Sequence, residues 1–211
     1  MRILALSDLV DRHIYSPQPS HQYREVDLVV GCGDLPFYYL EHAAAVINRP
    51  VIYVHGNHDA ELQATSDGRY IRAARGCTSI DGEVKVIADR IFVGLGGSIQ
   101  YIPGAHNQYT ELAMRLRVAR MLPRLLANKI RYGRYLDVLV THAAPYGVHD
   151  GADRAHVGFR TFRVLIRFLR PKLLLHGHMH NPNSEQPMDT VVDGTRVVGV
   201  FPVHLVELDP P

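Results

Sequence analysis

Five short polar segments hold the residues with the clearest chemical potential. Asp8 follows the apolar run Ile3 to Leu6, and Gly33-Asp34 follows Asp27 to Val30. Gly56-Asn57-His58-Asp59 follows Val51 to Val54, Thr141-His142 follows Val138 to Val140, and Gly177-His178-Met179-His180 follows Leu173 to Leu175. Carboxylate and amide oxygens together with imidazole nitrogens suit a hard or borderline divalent cation. Glycines beside them permit the tight turns that would aim such side chains inward. Each segment also has a plain structural reading: an Asp after a strand caps a turn or helix, Asn57 forms a turn, His142 is a hydrogen-bonded core residue, and His178 and His180 are loop histidines.

The apolar runs suit strands buried on both faces. Helical patterns lie between them at Leu40 to Ile47, Glu111 to Leu126 and Thr161 to Leu169, so the fold class is α/β with a βαβ first half. In the Arg-rich helix, Leu112, Leu116 and Leu122 are expected to face the sheet, with Arg115, Arg117 and Arg120 outside. Towards the end, Thr190 to Val192 and Arg196 to Val200 flank the hairpin turn Asp193-Gly194, and His204 to Leu208 alternates as one more antiparallel strand. Each polar segment therefore falls at the carboxyl end of a strand, the edge at which open α/β sheets bind ligands.

This order of segments resembles the calcineurin-like metallophosphoesterases, whose pattern runs D-x-H, G-D, G-N-H-[DE], H, G-H-x-H. The resemblance spans Asp8 to His180 and implies an αββα fold, a β-sandwich flanked by helices, with one or two divalent ions (Mn, Fe, Zn, Ni or Mg) at the strand ends. It implies one metal on Asp34, Asn57, His142 and His178. It implies another on Asp8, Asp34 and His180, where Val10 replaces the expected His and cannot coordinate. His13 or Asp11 could substitute by folding back, or Asp11 could cap a turn. By the same resemblance, His58 is catalytic at the leaving oxygen, with Asp59 on its other nitrogen; a helix N-cap is the other reading of Asp59. The implied activity is hydrolysis of a phosphodiester or phosphomonoester, including nucleotides, by metal-activated water.

Further residues could meet substrate. Ser98 ends the glycine-rich turn from Gly94, which could offer backbone N–H groups to phosphate or serve only as a tight turn. Asp150 and His156 fall in the segment after His142, with substrate and structural roles both open, and Tyr101 or Tyr109 could stack on an aromatic group. At 211 residues and 46% apolar, the chain is expected to form one domain over residues 1–211. Its net charge of +2 gives no reason to expect nucleic acid or a membrane surface as partner, so a small-molecule phosphate ester is favoured over a nuclease substrate. Val10 keeps open a non-catalytic interaction protein with a degenerate metal site. Two cysteines argue against a disulfide framework, and the MRILALSD start leaves no room for a signal peptide, so a cytoplasmic protein is expected, in which a homodimer would be unremarkable.

Overall fold

The computed structural model describes residues 1–19, 21–65, 67–179 and 188–209. The first half runs β1 (Arg2–Leu6), α1 (His21–Arg24), β2 (Leu28–Gly31), α2 (Phe37–Ile47) and β3 (Val51–Tyr53). Short segments follow: β4 (Gln63–Ala64), β5 (Tyr70–Ile71) and β6 (Thr78–Ser79). The second half contains β7 (Val84–Ile87), β8 (Arg90–Leu95), β9 (Ser98–Ile99), β10 (Gln108–Tyr109), α3 (Glu111–Tyr132), β11 (Val138–Thr141), α4 (Arg160–Leu169) and β12 (Leu173–His176). It ends with β13 (Asp189–Val192), β14 (Thr195–Gly199) and β15 (Val203–Glu207).

Two large sheets result, in the orders β15-β1-β2-β3-β6 and β13-β14-β12-β11-β8-β7, with β9–β10 and β4–β5 as separate two-stranded pairs. The period of two along each strand explains their stacking. Ile3, Ala5, Leu28, Val30 and Ile52 of the first sheet share one buried cluster with Phe92, Val138, Val140, Leu173, Leu175 and Val198 of the second. The alternate residues face outward under helices. Leu4, Leu6, Val29, Val51 and Tyr53 pack with Leu40, Ala43 and Ile47 of α2. Leu139, Leu174 and Val197 pack with residues of α3 and α4. Apolar residues without alternation thus produce strands buried on both faces, in four layers of helix, sheet, sheet and helix.

Asp193 and Gly194 both take positive φ, 50° and 84°, as the tight β13–β14 turn requires. The terminal β15 pairs antiparallel with β1, whereas β14 pairs parallel with β12. The expected register of the Arg-rich helix is wrong: α3 buries Met114, Val118, Met121 and Leu125, while Leu112, Leu116 and Leu122 are exposed. It also continues past Leu126 to Tyr132, closing on Gly133 at φ 73°. No helix among the described residues is long and apolar enough to cross a membrane.

Candidate metal centre

The carboxyl ends of β1, β2, β3, β11 and β12 lead directly into the five polar segments. Three of the candidate ligands sit in left-handed backbone: Asp8 at φ 65°, Asp34 at φ 53° and His178 at φ 67°. Such conformations cost on the order of 1 kcal/mol each for non-glycine residues and persist only where the surroundings hold them. Hydrogen bonds between the segments provide that hold. Asp8 N donates to Gly33 O at 3.2 Å, His178 N donates to Asp8 Oδ2 at 3.0 Å, and His58 N donates to Asp34 Oδ1 at 2.8 Å.

The neighbouring glycines are required by close approach. A Cβ at Gly33 would stand 2.6 Å from His142 Nδ1. One at Gly56 would overlap Asp34 N and Oδ1, and one at Gly177 would overlap Ser7 Oγ and stand 2.7 Å from Asp8 Oδ2.

At the centre, Asp34, His142 and His178 each offer a ligand atom within 4.8 Å of the others. His142 Nδ1 lies 2.9 Å from Cys32 O. A carbonyl can only accept, so Nδ1 carries the proton and Nε2 is the inward-facing nitrogen. His142 Nε2 is 2.9 Å from Asn57 Oδ1 and 3.3 Å from Asp34 Oδ2, which adds the Asn57 oxygen to the group. His178 shows the mirror arrangement: its Nε2 is 2.8 Å from Ala155 O, so that nitrogen is protonated and Nδ1 keeps the lone pair. Two backbone carbonyls thus fix opposite tautomers on the two rings, the outer support typical of metal-ligating histidines.

Charge follows the same geometry. Burial opposes ionisation of Asp34, but hydrogen bonding and charge from His142 outweigh it and hold the carboxyl below its ordinary range. Burial likewise opposes protonation of His142, and Asp34 overrides it, raising the imidazole to about 9. Burial and the charge of His142 push His178 down to about 4, leaving it neutral. One oxyanion, one amide oxygen and two imidazoles, converging and mostly buried, fit a borderline divalent ion.

The comparison with known families settles the kinship. The model of the family described as calcineurin-like phosphoesterase matches residues 1–182. The chain belongs to this family. Among solved structures, TT1561 of Thermus thermophilus is 16% identical over 94% of this chain and 88% of that one, with a TM-score of 0.65. A second solved chain is 12% identical over 99% of both chains, with a TM-score of 0.62. These two likenesses carry the fold alone. No curated protein matches the chain. The calcineurin-like fold accounts for the two sheets and their helices, and the family is one of metal-dependent phosphoester hydrolases.

Against that family pattern, Val10 is partly buried and packs on the outer core of the first sheet. Neither proposed substitute replaces it. Asp11 Oδ1 accepts from His13 N at 2.8 Å and Ile14 N at 3.1 Å, which makes Asp11 a turn cap, and His13 is exposed. Asp8 lies beside this group, its Oδ2 accepting from the His178 N–H. His180 lies outside the described residues.

His58 is exposed and lines a cleft with Asp8, Asp34, Pro36, Asp59, Ala60 and Gln63. The expected Asp59 contact to the His58 ring is corrected: Asp59 Oδ2 accepts from Gly56 N at 2.7 Å and Asp34 N at 3.1 Å, and no hydrogen bond among the described residues joins it to that ring. Asp59 therefore clamps two of the ligand turns together. Burial, reinforced by the Asp34 charge, raises it to about 7.

Ser98 is fully buried, and its hydroxyl donates to Ile99 O at 3.2 Å. The glycine turn before it is braced by Asp81, which accepts from Gly96 N at 2.7 Å and pairs with Arg117. Asp150 accepts from Gly147 N and Gly158 N, both at 3.0 Å. His156 does reach the centre. Its ring lies 5.0 Å from that of His178, and its Nδ1 is 2.9 Å from both Asp153 oxygens. Tyr109 lies under the Arg117 guanidinium, 4.3 Å from ring centroid to carbon. Tyr101 turns its hydroxyl to Asn57, accepting from Nδ2 at 3.1 Å. The supports from Cys32 O, Ala155 O and Asp153 had no sequence signal, since two are main-chain atoms and the third is one of many loop aspartates.

Proposed function

We propose that this chain, acting as one unit over residues 1–211, hydrolyses a small-molecule phosphate ester, with Asp34, Asn57, His142 and His178 holding a divalent cation. The observation that carries this reading is the convergence of those four side chains, with each histidine held on one ring nitrogen by a backbone carbonyl, which leaves its other nitrogen for an ion. When bound, such an ion polarises phosphoryl oxygens and acidifies water near neutral pH. Manganese, iron, zinc, nickel and magnesium are all compatible with the donor set. Asp8, Asp34 and His180 would serve a second ion, with fewer protein ligands because Val10 is committed to the core.

The remaining roles fall to residues of the cleft. His58 stands exposed on the wall, where its ring can give a proton to the leaving oxygen. Its backbone N–H holds Asp34 Oδ1, so the proton donor and the central carboxylate are registered to each other. Asp59 keeps the Gly56 and Asp34 turns together. His156, oriented by Asp153 and tilted against the His178 ring, offers a further donor to phosphate oxygen. Whether the ester is a mono- or diester is decided by assay, and a nucleotide fits either case.

Val10 supports one competing reading, a binding protein that kept the fold after losing a metal. Metal analysis of the purified protein, with hydrolysis of bis-p-nitrophenyl and p-nitrophenyl phosphate in added manganese, separates the two. Bound metal with turnover of either ester is expected; no turnover with any divalent ion would leave the binding protein as the better account.

A further inference from the structure

Beside the metal cleft lies a second depression of about 390 Å³. Gln63 belongs to the walls of both, and its Oε1 accepts from Phe37 N at 2.8 Å, which ties β4 to the start of α2 and forms the partition between them. Tyr15 and Tyr38 line the second depression. They meet edge to face at 5.7 Å, yet are 48% and 54% exposed. Aromatic rings left half open on one concave wall present apolar faces for another ring. Arg75 borders the same space, and no hydrogen bond engages its guanidinium among the described residues, so it can lie over a ring or meet its polar edge.

His58, Ala60 and Gln63 all line the metal cleft, and Gln63 also lines the aromatic depression, so the two adjoin at Gln63. With a leaving oxygen beside His58, the Gln63 wall common to both depressions is the side on which a substituent could reach Tyr15 and Tyr38. Tyr15 closes the segment that departs from the family pattern, in which Val10 turns into the core and Asp11 caps the following turn, with Tyr15 N donating to Asp11 O at 2.8 Å.

We propose that this depression receives the leaving group of the ester and that the group carries an aromatic ring, as in an aryl or nucleoside phosphate. The inference rests on the hydrolase reading above for the direction of the ester. The ring site itself is testable without turnover.

The test compares wild type with Tyr38→Ala on p-nitrophenyl phosphate and 2,2,2-trifluoroethyl phosphate, so that the intrinsic reactivity of each ester cancels. Loss of one ring contact is expected to raise KM for the aryl ester roughly five- to tenfold and to leave the trifluoroethyl ester within about twofold. Arg75→Ala is expected to act in the same direction and serves if Tyr38→Ala folds poorly. Calorimetric titration with p-nitrophenol, in EDTA, is expected to show binding that both variants weaken. Equal losses on both esters, or p-nitrophenol binding unchanged in both variants, would overturn the proposal. Wild-type protein that binds p-nitrophenol in a Tyr38-dependent way but cleaves neither of these esters, nor bis-p-nitrophenyl phosphate, with any divalent ion would support the ring site and overturn the hydrolase reading instead.

Discussion

Asn57 Nδ2 donates to the Tyr101 hydroxyl at 3.1 Å, and this contact decides which end of the Asn57 amide faces the metal centre. With the nitrogen held outward, Oδ1 points at His142 Nε2, 2.9 Å away. Tyr101 is placed by Gln108, whose Oε1 accepts the Tyr101 and Ile102 N–H groups at 3.1 and 2.9 Å. Tyr101→Phe leaves the amide free to rotate its donor end inward. The manganese dissociation constant, measured by calorimetry, is expected to rise about tenfold, as for other outer-shell partners. The melting temperature of the metal-free protein should stay unchanged, because the hydroxyl contributes little to packing.

Metal affinity and metal-free stability should respond to pH in opposite directions. In the metal-free chain, Asp34 raises His142 to about 9 against the opposing effect of burial, above the ordinary value of 6.5. A folded-state value above the unfolded one stabilises most below pH 6.5, and that stability is lost as pH climbs through about 9. Thermal melts in EDTA should therefore fall over this window. An imidazole must be neutral to ligate, so manganese affinity should rise over the same window by up to about tenfold per pH unit. Parallel trends in the two measurements would remove His142 from the ligand set.

Gly56→Ala tests how tightly the turns are built. Its Cβ would overlap Asp34 N and Oδ1, and overpacking of this kind costs about 1–3 kcal/mol. Gly147→Ala is the control: φ is 72° there and nothing lies within 4 Å, so it carries backbone strain without a collision. Both should lower the melting temperature, but only Gly56→Ala should weaken manganese binding.

The α3 register shows where sequence pattern ran out. This helix carries two apolar stripes, one with Leu112, Leu116, Leu126 and Ile130, the other with Met114, Val118, Met121 and Leu125. Periodicity alone cannot rank a leucine stripe against a methionine and valine stripe. The second packs against β-strand residues such as Val93 and Leu139, which only the fold brings near. Met121→Ala should cost about 2–5 kcal/mol in urea melts, and Leu116→Ala should stay within about 0.5 kcal/mol.

The strands and the five polar turns were readable because each is local, an apolar run ending in a polar turn, and in three of the turns close packing demands the glycine, at Gly33, Gly56 and Gly177. Tyr101 on Asn57, Cys32 O on His142 and His156 beside His178 join residues far apart in the chain. No pattern at one position announces such a meeting. Asp59 was half readable: its place in the site followed from the motif, but its partners are the backbones of Gly56 and Asp34 rather than the His58 ring.

His58 and Asp59 are adjacent, yet their substitutions should fail differently. The contact of His58 with Asp34 Oδ1 runs through the backbone N–H, which His58→Ala retains. Metal content should hold while kcat falls about 10²- to 10⁴-fold, the usual worth of a positioned proton donor. Asp59→Ala removes the acceptor of one buried and one partly buried N–H group, and leaving the buried one unsatisfied costs about 1–3 kcal/mol. Metal should be lost together with activity, and Asp59→Asn, which keeps one carbonyl oxygen as acceptor, should recover much of both. Metal loss in His58→Ala equal to that in Asp59→Ala would show that the His58 ring supports the ion rather than the leaving group.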